Sequence, residues 1–134
     1  MQLFIYTDGG ARGNPGPAAA GIVIKNSQKI VVSFFGEYLG EMTNNQAEYR
    51  ALIFALEKAA EIGGVEISCF SDSELMVKQL NYKYKVRNQE IAPLFLKIHN
   101  LSAQFKKISF QHIPREQNKE ADKVVNQILD QKNK

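Results

Sequence analysis

Two runs of β-forming residues each end on an aspartate, FIYTD at Asp8 and ISCFSD at Asp72. Two runs with helical periodicity each carry an acid near their start, Glu48 and Asp122. An α/β sheet collects its strand C-termini at one edge, and that edge is where such folds bind ligands. Positions 48, 52, 55 and 59 share one helical face and read Glu, Leu, Ala, Ala; positions 122, 125 and 129 read Asp, Val, Leu. Both acids therefore stand at the foot of an apolar stripe, on the side that faces the sheet. Each acid has an ordinary alternative. Asp8-Gly9-Gly10 makes a good turn, Asp72-Ser73 a good cap, and first-turn acids complement a helix dipole. Singly the alternatives suffice; jointly they need four coincidences at one edge. Converging carboxylates repel unless a cation sits among them, and a pair of Mg²⁺ ions meets that need with oxygen ligands alone.

The remaining pattern supplies the elements. Gln2 to Asp8 is a strand that GGARGNPGP should end, since glycine and proline break the ladder. Ala19–Asn26 and Lys29–Leu39 read as two antiparallel strands joined at Asn26-Ser27-Gln28. Thr43 or Asn44 caps a helix to about Ile62, stopped by Gly63-Gly64. A buried strand Val65–Ser71 follows, then a short helix Ser73–Leu80 and a longer one from about Asn88 to Phe105, with Pro93 near its first turn. Lys107–Ile113 makes a fifth strand, and Asn118 caps a last helix to about Gln131, beyond which the chain should fray. The order β-β-β-α-β-α-α-β-α describes an α/β fold, a mixed sheet with helices on its faces.

At 134 residues the chain is expected to form one domain, residues 1–134. No apolar run approaches the roughly 20 residues of a membrane span, and MQLFIYTD lacks the form of a signal peptide. A cytoplasmic protein without membrane contact, expected to be a monomer, is the default. Cys69 is the only cysteine, in VEISCF, so it reads as a core residue and excludes an internal disulfide. Two histidines are too few to favour zinc, and His99 in KIHNL reads as structural. Between Lys78 and Lys107 stand seven cations (Lys78, Lys83, Lys85, Arg87, Lys97, Lys106, Lys107) against Glu90, an excess of six. With a net charge of +3, the rest of the chain is then −3. Such a basic segment suits a polyanion, though a solvated helix face gives similar counts. GGARGNPG lacks the lysine and spacing of a P-loop, GxGxxG is absent, and Ser71 and Ser73 have no GxSxG setting.

The segments YTDGG with GNPGPAAAG, TNNQAEYRALIFAL, SDSELMVKQL and HIPREQNKEAD resemble, in order and spacing, the four motif blocks of type 1 ribonuclease H. The resemblance covers nearly the whole chain. It implies a ribonuclease H-like fold, a five-stranded mixed sheet of three antiparallel strands then two parallel, flanked by helices on both faces. It also implies endonucleolytic hydrolysis of the RNA strand of RNA–DNA hybrids by two-metal in-line attack, leaving 5′-phosphate and 3′-hydroxyl ends. The expected cofactor is a pair of Mg²⁺ ions, with Mn²⁺ as the alternative. Carried over by motif, Asp8 bridges both metals, Glu48 and Asp72 complete the leaving-group side, and Asp122 completes the water-activating side. His112 stands where many members carry a mobile histidine assisting proton transfer or product release. It is followed here by Ile-Pro-Arg-Glu, without the small glycine-containing loop of many bacterial members, so a fixed strand-end histidine is the other reading.

For the hybrid, Asn14, Asn44 and Asn45 match contacting positions, and Gly10, Ala11, Arg12 and Gly13 bring backbone close to it. Thr43 is expected to hold a phosphate of the DNA strand; Asn44 and Asn45 are also good helix caps. Glu74 replaces a glutamine of some relatives and either weakens backbone contact or adds to the field at the metals, while Gln46 stands at an often basic position. The chain has no tryptophan and lacks the basic helical protrusion of many bacterial relatives. In its place Lys83, Lys85 and Arg87 with Tyr82 and Tyr84 either stack on and neutralise nucleic acid or pack as a plain loop. Weaker, steeply salt-dependent binding is the expected result. Other nucleases of the same fold, and a non-catalytic hybrid-binding module, are the competing readings.

Overall fold

A computed structural model describes residues 1–132. Five strands form one sheet in the order β3-β2-β1-β4-β5. They are β1 (Gln2–Ala11), β2 (Gly16–Asn26), β3 (Val31–Met42), β4 (Glu66–Ser71) and β5 (Lys107–His112). The first three pair antiparallel, and β1–β4 and β4–β5 pair parallel. Helix α1 (Asn44–Glu61) links β3 to β4. Helices α2 (Glu74–Leu80) and α3 (Ala92–Ser102) link β4 to β5, and α4 (Lys119–Lys132) follows β5 after a 3-10 turn at Arg115–Gln117. Residues 133 and 134, where fraying was expected, lie outside the described part, while Gln131 and Lys132 continue α4.

Period-two alternation puts Leu3, Ile5, Ile22, Ile24, Ile67 and Cys69 on one face of the sheet, under Tyr49, Leu52, Ile53 and Leu56 of α1. Met76, Leu80, Ile91 and Ile98 from α2, α3 and the turn before α3 close that core. Each fully buried side chain of this size contributes roughly 1.5–3 kcal/mol. The opposite face holds a smaller cluster, Ala19 with Val125 and Leu129 of α4. Here α4 lies so close that a Cβ on Gly21 would stand 2.3 Å from the Ala121 carbonyl oxygen. Helices therefore cover both faces, as the resemblance implied.

Several boundaries differ from the sequence reading: β2 already starts at Gly16, not Ala19, and β3 runs from Val31 to Met42, not from Lys29 to Leu39. β1 does not stop at Asp8: it pairs with β2 through Ala11↔Ala18. The glycine that looked like a strand breaker is there because α1 crosses it. A Cβ on Gly9 would lie 2.2 Å from the Ala47 backbone carbon. The turn shrinks to residues 12–15, closed by Arg12 N–H to the Pro17 carbonyl at 2.9 Å. α3 is shorter than the expected span from Asn88 to Phe105, because Asn88 folds back in a turn, its Oδ1 accepting from Glu90 N–H at 2.7 Å. Asn118 precedes α4 as expected, but its buried amide donates to the Thr7 carbonyl at 2.8 Å and so ties α4 to β1. No helix of the described residues is long and apolar enough to cross a membrane.

Candidate active site

Asp8 lies one residue beyond Thr7, where the pairing of β1 with β4 ends, and Asp72 directly follows β4. The sheet therefore presents both aspartates at one edge, from adjacent strands. Glu48, in the opening turns of α1, reaches the same edge and accepts the Gly9 N–H on Oε1 at 2.7 Å. Only a residue without Cβ at position 9 permits that approach. One carboxylate oxygen from each of Asp8, Glu48 and Asp72 lies within 4.8 Å of the others. Asp8 is 7% exposed and Glu48 9%. Asp122, in the first turn of α4, faces Asp8 closely enough to hydrogen-bond and repel it.

Burial and mutual repulsion set the proton affinities. Burial, then the charges of Asp72 and Asp122 and the Asp122 hydrogen bond, push Asp8 up to about 8, against the pull of Arg115. Burial first, then Asp8 and Asp72, raise Glu48 well above the usual carboxylate range, against the Gly9 N–H bond. Asp72 is raised chiefly by burial, with Asp122 adding, while a backbone hydrogen bond, Arg115 and His112 draw it down. A polypeptide that holds such acids together favours protons or cations there. The donors are all hard carboxylate oxygens without sulfur or imidazole, which fits Mg²⁺-class ions. The acids open onto a cleft of about 460 Å³ that also includes Gly10, Ala11, Arg12, Asn44 and Asn126. A second hollow of about 420 Å³ between α3 and β5 is mostly apolar and far from this chemistry.

Two asparagines interlock the rim. Asn44 Oδ1 accepts from Ala11 N–H at 2.8 Å, and Asn14 Oδ1 accepts from Asn44 N–H at 3.0 Å. Their carbonyl ends thus join the glycine-rich turn to the start of α1, and their NH₂ ends remain as donors. Thr43 is the cap of α1, in a reciprocal capping box with Gln46, and Gln46 Nε2 donates to Glu90 at 3.1 Å. Asn45 follows in the first turn, half-buried, without a capping role.

Several comparisons place this geometry among known proteins. A family profile described as Reverse transcriptase-like matches residues 6–128. The crystal structure of RNase H1 from Halobacterium salinarum superposes with a TM-score of 0.95 at 39% identity, covering 98% of this chain and 99% of that one. The chain belongs to the type 1 ribonuclease H family. LC11-RNase H1, in complex with an RNA/DNA hybrid, is 42% identical with a TM-score of 0.94 over 98% of this chain and 99% of that one. A bifunctional protein of Mycobacterium tuberculosis is 37% identical over 131 residues, 97% of this chain. This chain spans 36% of that relative and 65% of Ribonuclease HI from Halobacterium salinarum, to which it is 41% identical.

The other expected residues are distributed unevenly. His112 ends β5, beside Ser71 in register, exposed and outside the cleft wall. Gly10 and Ala11 line the cleft, while Gly13 sits at the turn with φ +93°. Arg12 also lines the cleft and reaches toward α4, with Nη2 2.6 Å from Asp130 Oδ1. Glu74 opens α2 and pairs with Lys78 at 3.4 Å, outside the acid cluster. Lys78 also sits 4.9 Å from the Tyr84 ring centroid. Tyr82 rests edge-on against Phe95, with its hydroxyl 3.2 Å from His99 Nδ1. Both tyrosines are thus engaged by the protein, and His99 is an exposed partner of Tyr82 and not a core residue. Lys83, Lys85 and Arg87 remain exposed.

Sequence reasoning passed over Arg115, the cation that draws down both Asp8 and Asp72 and lies 3.6 Å from Asp122. The signal was available: a centre of four acids calls for counter-charge, and Arg115 stands between His112 and Asp122. Asn126 was passed over as well, with no signal beyond its place one helical turn after Asp122.

Proposed function

We propose that this chain is an endonuclease that hydrolyses the RNA strand of RNA–DNA hybrids with two Mg²⁺ ions, or Mn²⁺ in their place. The products carry 5′-phosphate and 3′-hydroxyl ends. The observation that carries the reading is the meeting of Asp8, Glu48 and Asp72 oxygens within 4.8 Å, with Asp122 beside Asp8. Membership of the ribonuclease H family and the hybrid bound by LC11-RNase H1 support the substrate.

Asp8 has both Asp72 and Asp122 as close charged neighbours, which supports the reading that it would serve both ions. Glu48 and Asp72 would hold one ion with it, and Asp122 the other. Bound divalent ions supply a nucleophilic hydroxide from water and stabilise the leaving oxygen of an in-line displacement. Glu48 lines the cleft and is held by the Gly9 N–H on one oxygen, which leaves the other for an ion. Asn14 and Asn44 offer NH₂ donors along the rim, the groups that read 2′-hydroxyls in a shallow minor groove. Lys83, Lys85 and Arg87 supply a sequence-independent attraction to phosphates. His112 stands at the strand end nearest Asp72 and moves a proton or eases product release from outside the cleft.

The test labels each strand of a hybrid, a DNA duplex and an RNA duplex and incubates them with Mg²⁺, Mn²⁺ or EDTA. Metal-dependent cutting of the RNA strand in the hybrid alone is expected. Cutting of DNA, or binding without cleavage in either metal, overturns the proposal.

A further inference from the structure

The carboxylate of Asp122 is gripped from its own helix. Asn126 donates Nδ2 to Asp122 Oδ2 at 3.3 Å and to the Asp122 carbonyl at 3.2 Å. Its Oδ1 faces Arg12 Nη2 at 3.5 Å, the same Nη2 that lies 2.6 Å from Asp130 Oδ1. A line of contacts therefore runs from Asp130 through Arg12 and Asn126 to Asp122, joining the end of β1 to α4. The other oxygen of Asp122 lies 3.6 Å from the exposed Arg115, and the carboxylate also faces Asp8.

An amide and a guanidinium do different things to a carboxylate. The guanidinium cancels charge that an incoming cation needs. The amide fixes the rotamer and leaves the charge in place, and a cation behind the amide polarises it further. Ligating carboxylates generally depend on such outer partners for their orientation. Asp122 needs one more than Asp8 and Glu48 do, because it is half-exposed where they are buried.

We propose that Asn126 is a positioning residue that orients Asp122 for a divalent ion, and that Arg12 is its brace and not a contact to substrate phosphate. The inference rests on reading the four acids as an ion site. The test uses the full chain. Mg²⁺ is titrated calorimetrically without nucleic acid, and the Mg²⁺ dependence of the rate is measured apart from the KM for hybrid. Asn126→Ala should bind Mg²⁺ about tenfold more weakly and need correspondingly more Mg²⁺ for half-maximal rate. Its KM for hybrid at saturating Mg²⁺ should stay within about twofold of the parent. Asn126 is exposed, so the variant should fold and melt like the parent. Arg12→Ala should show a smaller loss of the same kind, about threefold, and the double variant should be no worse than Asn126→Ala. Unchanged Mg²⁺ affinity in Asn126→Ala overturns the inference. So does an Arg12→Ala effect confined to KM for hybrid, or one that multiplies with that of Asn126→Ala. A parent chain that takes up no Mg²⁺ at all refutes the ion-site reading itself, a result distinct from either.

Discussion

Replacing Asp8 with asparagine should destroy cleavage and stabilise the ion-free protein at the same time. The folded protein moves the Asp8 pKa from 3.8 to about 8. At about 1.36 kcal/mol per pH unit, that bounds the cost of keeping this group at roughly 6 kcal/mol. Asparagine is equally buried and retains the desolvation part; what it removes is repulsion. One carboxylate pair at 4.8 Å and an effective dielectric near 20 costs roughly 3 kcal/mol. A gain of about 2–3 kcal/mol is expected, or roughly 6–10 °C in Tm for a chain of this length. The sign follows from linkage. A carboxyl whose folded pKa is raised contributes stability that is fully present below its unfolded pKa and is lost as pH climbs through the folded one. The advantage of Asp8→Asn in EDTA should therefore be small near pH 4, grow through pH 6 and be largest by pH 8 to 9. Thermal melts at those pH values measure it, alongside a gel assay in which cleavage falls by roughly a thousandfold or more. Equal Tm values at pH 8, or a gain at pH 4 as large as at pH 8, would refute the argument from repulsion.

Mg²⁺ should raise the Tm of the parent more at pH 8 than at pH 5, because protons on Asp8 and Glu48 compete with the ion; a shift independent of pH in calorimetric scans would contradict this. Gly9→Ala should lose roughly 3 kcal/mol or more in urea unfolding, since its Cβ would meet the Ala47 backbone at 2.2 Å; a fall below about 1 kcal/mol would mean α1 shifts freely. His112→Ala should slow turnover by roughly 10- to 100-fold without abolishing it; an unchanged kcat would assign this residue to strand termination alone. Neutralising Lys83, Lys85 and Arg87 together should raise KM for hybrid and flatten its salt dependence, and an unaltered salt slope in filter binding would place the duplex elsewhere.

The four acids were legible in the sequence because each ends a strand or starts a helix, and those are positions that topology forces together. Three antiparallel strands followed by two parallel ones are what the family resemblance implied, while the spatial order β3-β2-β1-β4-β5 comes from the folded chain. Gly9 misled for a physical reason. A glycine's local preference is to end a strand, but α1 crosses this strand too closely for any side chain, and tertiary approach outweighed propensity. The ion pair of Arg12 was not legible for a different reason: its partner Asp130 lies 118 positions away and no local pattern announces it. The contacts of Tyr82 with His99 and of Tyr84 with Lys78 likewise have no signature in the local sequence, which left stacking and loop packing both open.

The bond from Asn118 to the Thr7 carbonyl has a consequence for timing. It is buried and lies one residue before Asp8 on one side and four before Asp122 on the other. The separation of those two acids is thus set in the dry interior, out of reach of whatever comes and goes at the surface. Each catalytic round should begin from the same frame, with no refolding between the loss of one product and the arrival of the next duplex.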